Sequence, residues 1–269
     1  MSSSDSATPG ATWLQKRLTL VAIAILKHFR PHSSSVLFLT KHYCVKFGPF
    51  VHMSTAATIQ FVKSNTSIPV PDVKCAFHHK DYGYIVMSRI AGQPISYGWF
   101  QRPAAVQERL SSQLRTYITE LRALQPRRPG AVEGVNRSQL YDGRLDSGYK
   151  GFGPFDSVEA FHLFLRGGNS IFPKHFPEIN ELVKLHSDIP QGTTFTHCDL
   201  NSGNILIDGD NVVGIVDWDY AGWYPKYWQW STARSGIDDV WKEEVRNFLE
   251  PYPEAERMEK IREKYFGAF

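Results

Sequence analysis

The chain has only three cysteines in 269 residues, Cys44, Cys75 and Cys198, and no C-x-x-C spacing. An odd, scattered set excludes a disulfide framework and a cysteine-based zinc site, and it fits a reducing, cytoplasmic setting. Polybasic runs are absent as well. A formal net charge of +3, dispersed along the chain, leaves no electrostatic footprint for a nucleic-acid partner. No apolar run reaches the ~20 residues of a membrane-spanning helix: Leu18 to Leu26 falls well short and is flanked by basic residues, so a stable membrane span is not expected. That segment also lacks a convincing processing site for a signal peptide or a presequence, and reads as a helix packed on the main body. Internal repeats are missing.

What remains is ordinary globular material, 42% hydrophobic and 21% charged, long enough for one large domain or for two lobes around a cleft. Residues 1–12 are polar and Ser-rich, with the composition of a disordered terminus, and residues 13–35 form an N-terminal helical extension. From Val36, SVLFLTKHYCVKFG predicts two short strands around Lys41 and His42. A helix capped by Ser54 or Thr55 follows and ends before TSIPVP, where Pro69 and Pro71 impose an extended link. VKCAF and YGYIVMSRI predict a second pair of strands turning at KDYG. Residues 36–90 thus make a small strand-rich unit with one helix.

Beyond Gly92 the periodicity becomes helical. In VQERLSSQLRTYITELRAL, Val106, Leu110, Leu114, Tyr117, Leu121 and Leu124 recur at three- and four-residue steps. DSVE at 156–159 resembles a capping box opening the helix VEAFHLFLR. A further helix starts near Asp238 or Asp239, with Trp241, Val245, Phe248 and Leu249 on one side. The aromatic set Trp218, Tyr220, Trp223, Tyr224, Tyr227, Trp228 and Trp230 suits core packing for most members, with one or two left to line a pocket for a cationic acceptor. The acids Asp238, Asp239, Glu243 and Glu244 read as an exposed helix face.

The chemistry concentrates in FTHCDLNSGNILI, residues 195–207, and the IVDWD that follows. NILIDGDNVVGIVDWD predicts a β-hairpin with its turn at Asp208–Asn211, so Asn204 enters and Asp217 leaves at the same end. Asp199 sits in the loop leading in. An amide and a carboxylate at a hairpin mouth offer hard oxygen ligands that suit Mg²⁺, with a further carboxylate to spare. Phosphoryl transfer needs this combination: a metal against the nucleotide phosphates, and a separate carboxylate to orient the acceptor hydroxyl and take its proton. H-x-D-x-x-x-x-N followed by a strand-borne Asp is the kinase arrangement. Singly, each residue is a turn former or a strand-end charge; jointly, their spacing is specific.

THCDLNSGNILI and IVDWDYAGWYPKYW, with YCVKFGP, TSIPVP, YIVM and the GPF-DSVEAF region in the same order, resemble the aminoglycoside phosphotransferase family, in particular fungal members of unassigned substrate. The resemblance spans about residues 36–250. It implies an α+β, two-lobed, protein-kinase-like fold: a small N-lobe with an antiparallel sheet and one helix, and a larger, mainly helical C-lobe over 91–269 that carries the catalytic loop. It further implies an ATP- or GTP-dependent phosphotransferase acting on a hydroxyl of a small molecule. In that likeness Asp199 is the base, Asn204 and Asp217 hold Mg²⁺, Lys46 holds the nucleotide phosphates, and His197 is structural. Met87 and its neighbours form the hinge that reads the adenine edge. One departure stands out. Relatives carry Glu on the N-lobe helix, paired with the strand lysine, where this chain has Thr55 in HMSTAATIQFV, and no Asp or Glu lies between Lys46 and Asp72. Lys46 is therefore expected to lack its partner, which opens an alternative: a kinase-like nucleotide-binding or scaffold protein with weak or no catalysis. A Gly-rich phosphate loop is also missing from PHSSSVLFLT.

Overall fold

The computed structural model describes residues 10–267 apart from 31, 34, 146–149, 173, 175 and 236–238. Of the sequence-based expectations, most of the N-terminal stretch 1–12 and residue Asp238 lie outside the described residues. Two compact units emerge: one comprises residues 1–102 and 203–219, the other 103–202 and 220–269.

The first unit starts with helix α1, Trp13–Leu26, opened by a capping box in which the Thr12 hydroxyl accepts from the Gln15 N–H and the Gln15 side chain accepts from the Thr12 N–H. Strands β1 (His32–Ser33), β2 (Val36–Phe38) and β3 (Tyr43–Gly48) follow, then helix α2, Met53–Asn65. The cap of α2 is His52, without a side-chain bond, rather than Ser54 or Thr55. Thr55 is buried inside the first turn, where its hydroxyl has another partner. Strands β4 (Val73–His79) and β5 (Tyr82–Ser88) complete an antiparallel sheet in the order β1-β2-β3-β5-β4. Apolar side chains alternate to one face, where Leu37, Val45, Phe77 and Tyr84 pack with Ile23 of α1. The Phe77 and Tyr84 rings stack at 4.9 Å. On α2, Ala56, Ile59 and Val62 are buried. Strand β6, Gln93–Pro94, ends the first pass of the chain through this unit.

The second unit opens with helix α3, Ala104–Ala123, whose buried stripe is Leu110, Leu114, Ile118 and Leu121. Ile118 rather than Tyr117 completes that face, because the 3.6-residue period brings it directly over Leu114 and Leu121. Helix α4, Val158–Leu165, is capped by Ser157, whose hydroxyl accepts from the Ala160 N–H at 3.1 Å. The cap falls one residue later than the capping-box reading puts it, since Asp156 pairs with Arg128 and Glu159 with Arg166. Helix α5, Pro177–Ser187, leads to strand β7, Thr193–Thr196.

The chain then returns to the first unit as the hairpin β8 (Ile205–Asp208) and β9 (Asn211–Ile215), turning through Gly209 and Asp210 as its sequence predicts. Among the contacts that bind the hairpin there, β8 pairs with β6, the Ile95 N–H donates to the Ile205 carbonyl at 2.8 Å, and the Ile215 N–H donates to the Pro69 carbonyl at 2.8 Å. By these contacts the hairpin joins residues 1–102 rather than the rest of the 91–269 segment. Back in the second unit, β10 (Gly222–Pro225) pairs with β7, and α6 (Trp228–Ala233), α7 (Asp239–Glu244) and α8 (Pro253–Phe266) follow. Gly222 is required on β10, because a Cβ there would meet Leu140 Cδ2 at 2.4 Å. Trp218 in the first unit, and Trp223, Tyr224, Tyr227, Trp228 and Trp230 in the second, are all buried, so these rings are core. The three cysteines are free and buried. No described helix is long and apolar enough to cross a membrane.

Candidate active site

In the first unit the site is built on β3 and on the segment that leaves β9. Lys46 lies mid-β3, opposite Val36 on one side and Ile85 on the other, and is 8% exposed. A buried ammonium needs anions, and two reach it. Lys46 Nζ donates to Asp217 Oδ1 at 2.7 Å and also to Asp219 Oδ2. Asp219 Oδ1 in turn accepts from the Thr55 hydroxyl at 2.7 Å. This corrects the expectation of an unpartnered lysine. The residue in the helix position is Thr, as the sequence has it, but the carboxylate arrives from Asp219, 173 positions along the chain, and Thr55 becomes a neutral donor that orients it.

The electrostatics follow from that geometry. Burial favours the neutral amine of Lys46, but Asp219 and Asp217 outweigh it and raise its pKa. Burial raises the pKa of Asp219; Lys46 and the Thr55 hydroxyl oppose the rise while Asp217 adds to it. The two carboxylates are not equivalent. Asp219 is the enclosed one, with its side chain 19% exposed, whereas that of Asp217 is 43% exposed and accessible to an incoming cation.

Asp217 adopts a left-handed backbone, φ 65°, uncommon for a residue with a side chain and frequent at functional sites. Trp218, fully buried, fixes the turn by donating its indole N–H to the Ile215 carbonyl at 2.9 Å. The Val216 N–H donates to the Asn204 carbonyl at 2.9 Å, so Asn204 and Asp217 leave the hairpin at the same end, as expected. Their amide and carboxylate oxygens are the hard donors that Mg²⁺ takes. Among the described residues no group of three or more His, Cys, Asp or Glu side chains is arranged to hold a metal ion. Met87 lies within β5, paired with Cys44 of β3 and Val73 of β4, and the connecting stretch begins at Arg89.

The second unit carries the loop after β7. His197 is fully buried; its N–H donates to Gln229 Oε1 at 2.9 Å and its Nδ1 accepts from the Asp199 N–H at 3.1 Å. The ring therefore orders the Asp199 backbone. Cys198 between them takes a left-handed φ of 66°, and burial pushes its thiol pKa well up. Asn201 Nδ2 donates to Asp199 Oδ1 at 2.9 Å and aims the carboxylate. Leu200 is anchored from α7, where the Trp241 indole donates to its carbonyl at 3.1 Å. Two of the participants, Asp219 and Asn201, are absent from the sequence-based site. Asp219 carries one signal, its place two residues after Asp217 in the same Asp-Trp-Asp segment.

The family model of the phosphotransferase enzyme family, APH, matches residues 32–228, and the chain belongs to that family. Its fold is shared with solved aminoglycoside phosphotransferases at low sequence identity. A thermostable mutant of APH(4)-Ia, in ternary complex with AMP-PNP and hygromycin B, aligns with a TM-score of 0.59 and 14% identity over 94% of this chain and 88% of that one. The gentamicin complex of APH(2")-IIa gives 0.54 and 14% over 94% and 86%. APH(3'')-Id from Streptomyces rimosus, with ADP and streptomycin, gives 0.55 and 16% over 94% and 98%. No curated protein sequence matches the chain significantly.

Proposed function

We propose that the protein transfers the γ-phosphoryl group of ATP or GTP to a hydroxyl of a small molecule. The observation that carries this reading is the grip on Lys46: a buried lysine and the accessible Asp217, 171 positions apart, lie 2.7 Å from each other. Phosphoryl transfer is chiefly a matter of placing charge around the phosphates. Lys46, confined by Asp219, is the cation for the nucleotide phosphates. Asn204 and Asp217 hold Mg²⁺, which when bound neutralises phosphate charge. Asp199, aimed by Asn201 and held at its N–H by His197, accepts the proton of the acceptor hydroxyl. The stretch from Met87 onward reads the adenine edge through its backbone.

The scaffold alternative rested on a lysine without a partner, and Lys46 has two carboxylates. Nucleotide and aminoglycoside in the complexes of the structural relatives support a nucleotide and a small-molecule acceptor here, and aminoglycosides stand beside amino alcohols, sugars and amino acids in the screen that tests the reading. Nucleotide consumption is to be measured with each acceptor, for the protein and for Asp199→Asn. A responding acceptor should be turned over on the order of 10² to 10⁴ more slowly by Asp199→Asn, with nucleotide affinity retained, the scale expected for loss of a general base. Equal turnover by the variant would remove Asp199 from the reaction.

A further inference from the structure

Helix α1 is apolar on two sides, and among the described residues only one of them packs. Leu20, Ile23 and Leu26 rest on the sheet. The opposite side bears Leu14, Leu18, Val21 and Ile25, spaced four, three and four residues apart, with Phe29 just beyond the helix end. These five are 58, 60, 55, 55 and 81% exposed, and Trp13 at the start of the helix is 70% exposed. Single exposed apolar residues need no explanation, but a continuous strip along a helix does.

The charge on the helix is of one sign. Arg17 borders the strip, over the Trp13 ring at 5.3 Å, whereas Lys16 and Lys27 fall on the side that carries Ile23, with Lys16 over the Phe77 ring at 5.8 Å. From residue 6 to residue 71 the sequence contains seven Lys and Arg and no Asp or Glu. We propose that this face of α1 docks on an anionic lipid surface, the helix lying in the interfacial plane with its strip among the acyl chains and Arg17 at its border against the headgroup phosphates. A lipid surface supplies both things the helix lacks, apolar cover and negative charge. A second copy of α1 would supply the first only, and would bring Arg17 against its own copy with no acid in the stretch to relieve it. Spanning is ruled out by size, since 14 residues rise only about 21 Å against a hydrocarbon core of about 30 Å.

The test is co-sedimentation of the full chain with phosphatidylcholine vesicles, with and without phosphatidylserine, alongside sedimentation velocity of the protein alone. Binding is expected with the anionic vesicles, weaker in high salt and weaker still with the neutral ones. Leu18→Asp combined with Ile25→Asp should lower vesicle affinity on the order of a hundredfold, because two apolar side chains no longer enter the bilayer. Both sites are exposed, and an unchanged melting temperature would verify the fold of the variant. Absence of binding to anionic vesicles at low salt, equal binding to neutral ones, or no loss in the double variant would overturn the proposal. Self-association of the wild type that the double substitution abolishes would do so too, by assigning the strip to a second copy.

Discussion

Asp219 and Thr55 act together on Lys46, the carboxylate pairing with the ammonium and the hydroxyl donating to the carboxylate. A carboxylate beside a buried lysine must itself be oriented, and here the orienting group is the Thr55 hydroxyl rather than a helix backbone. Asp219→Asn should keep the fold but leave Lys46 to Asp217 alone, drawing the lysine towards the residue proposed to hold Mg²⁺. About a tenfold weakening of Mg-nucleotide affinity is expected, of the order of one hydrogen-bonded charge pair. Thr55→Glu, a gain if Lys46 lacked a partner, should instead lower the melting temperature, because it buries a second carboxylate against Asp219. In the double variant Thr55→Glu with Asp219→Asn the acid returns to the helix, and affinity should recover. Isothermal titration of Mg-nucleotide into all four proteins closes the cycle, and simple additivity would show that the two positions do not share Lys46.

At the scale of elements, α4 and α5 meet through a pair of buried histidines. The rings of His162 and His186 stack at 4.1 Å, and the Arg166 guanidinium lies 3.3 Å from His186 Nδ1. An arginine can only donate, so that nitrogen carries no proton. Burial, with Arg166 adding, lowers His162 to about 3; burial, His162 and Arg166 lower His186 to about 2. The sign follows. Both folded values lie below the unfolded value of 6.5, so the unfolded chain binds more protons once the pH falls below about 6.5, and stability declines from there downwards. Two histidines give a limiting slope of about 2.7 kcal/mol per pH unit. Urea unfolding at pH 7.5 and pH 5.5, above the range of most carboxylates, should show the loss, and His186→Phe should reduce it. Equal stability at the two pH values would mean that the pair is not neutral and buried.

The elements that the sequence makes legible are those whose own periodicity carries them: β2 to β5, α3, and the hairpin β8–β9, whose turn residues and apolar alternation are local. Less legible are those stabilised from elsewhere. α8 has a strongly charged sequence and is held to α5 by Lys264 and Tyr265 on Glu178 and by Arg257 on Glu181. β7 and β10 are four-residue strands that exist by pairing with each other. The same holds for the site. Asp199, Asn204, Asp217 and Lys46 are readable as a spacing, whereas the role of Asp219 depends on a contact across 173 positions that no local pattern encodes. The cap of α4 moved by one residue for a similar reason, since Arg128 takes Asp156 away from the helix.

For the whole molecule, the family match runs through both units, from residue 32 to residue 228, while α1, α7 and α8 lie outside it. The family-matched portion carries the residues of the proposed transfer, and the apolar strip on α1 lies outside it. The lipid proposal and the transfer proposal are accordingly separable, since substitutions at Leu18 and Ile25 leave every residue of the candidate site in place.

The hairpin's membership in the first unit also bears on how the protein is made. Residues 1–102 are synthesised first, yet β6, the Pro69 carbonyl and Lys46 find their partners only in residues 203–219. At ordinary translation rates the early segment must wait roughly 6 to 23 seconds for the stretch that completes it. During that interval Lys46 has no carboxylate, and the apolar strip of α1 is already in water. A fragment ending at residue 102 should therefore show little hydrogen-exchange protection at β6, and adding residues up to 219 should restore it. Full protection in the short fragment would mean that the hairpin merely docks on a finished unit. Until residues 203–219 emerge, the first unit is incomplete and its unpaired strand edge is open to chaperones and proteases.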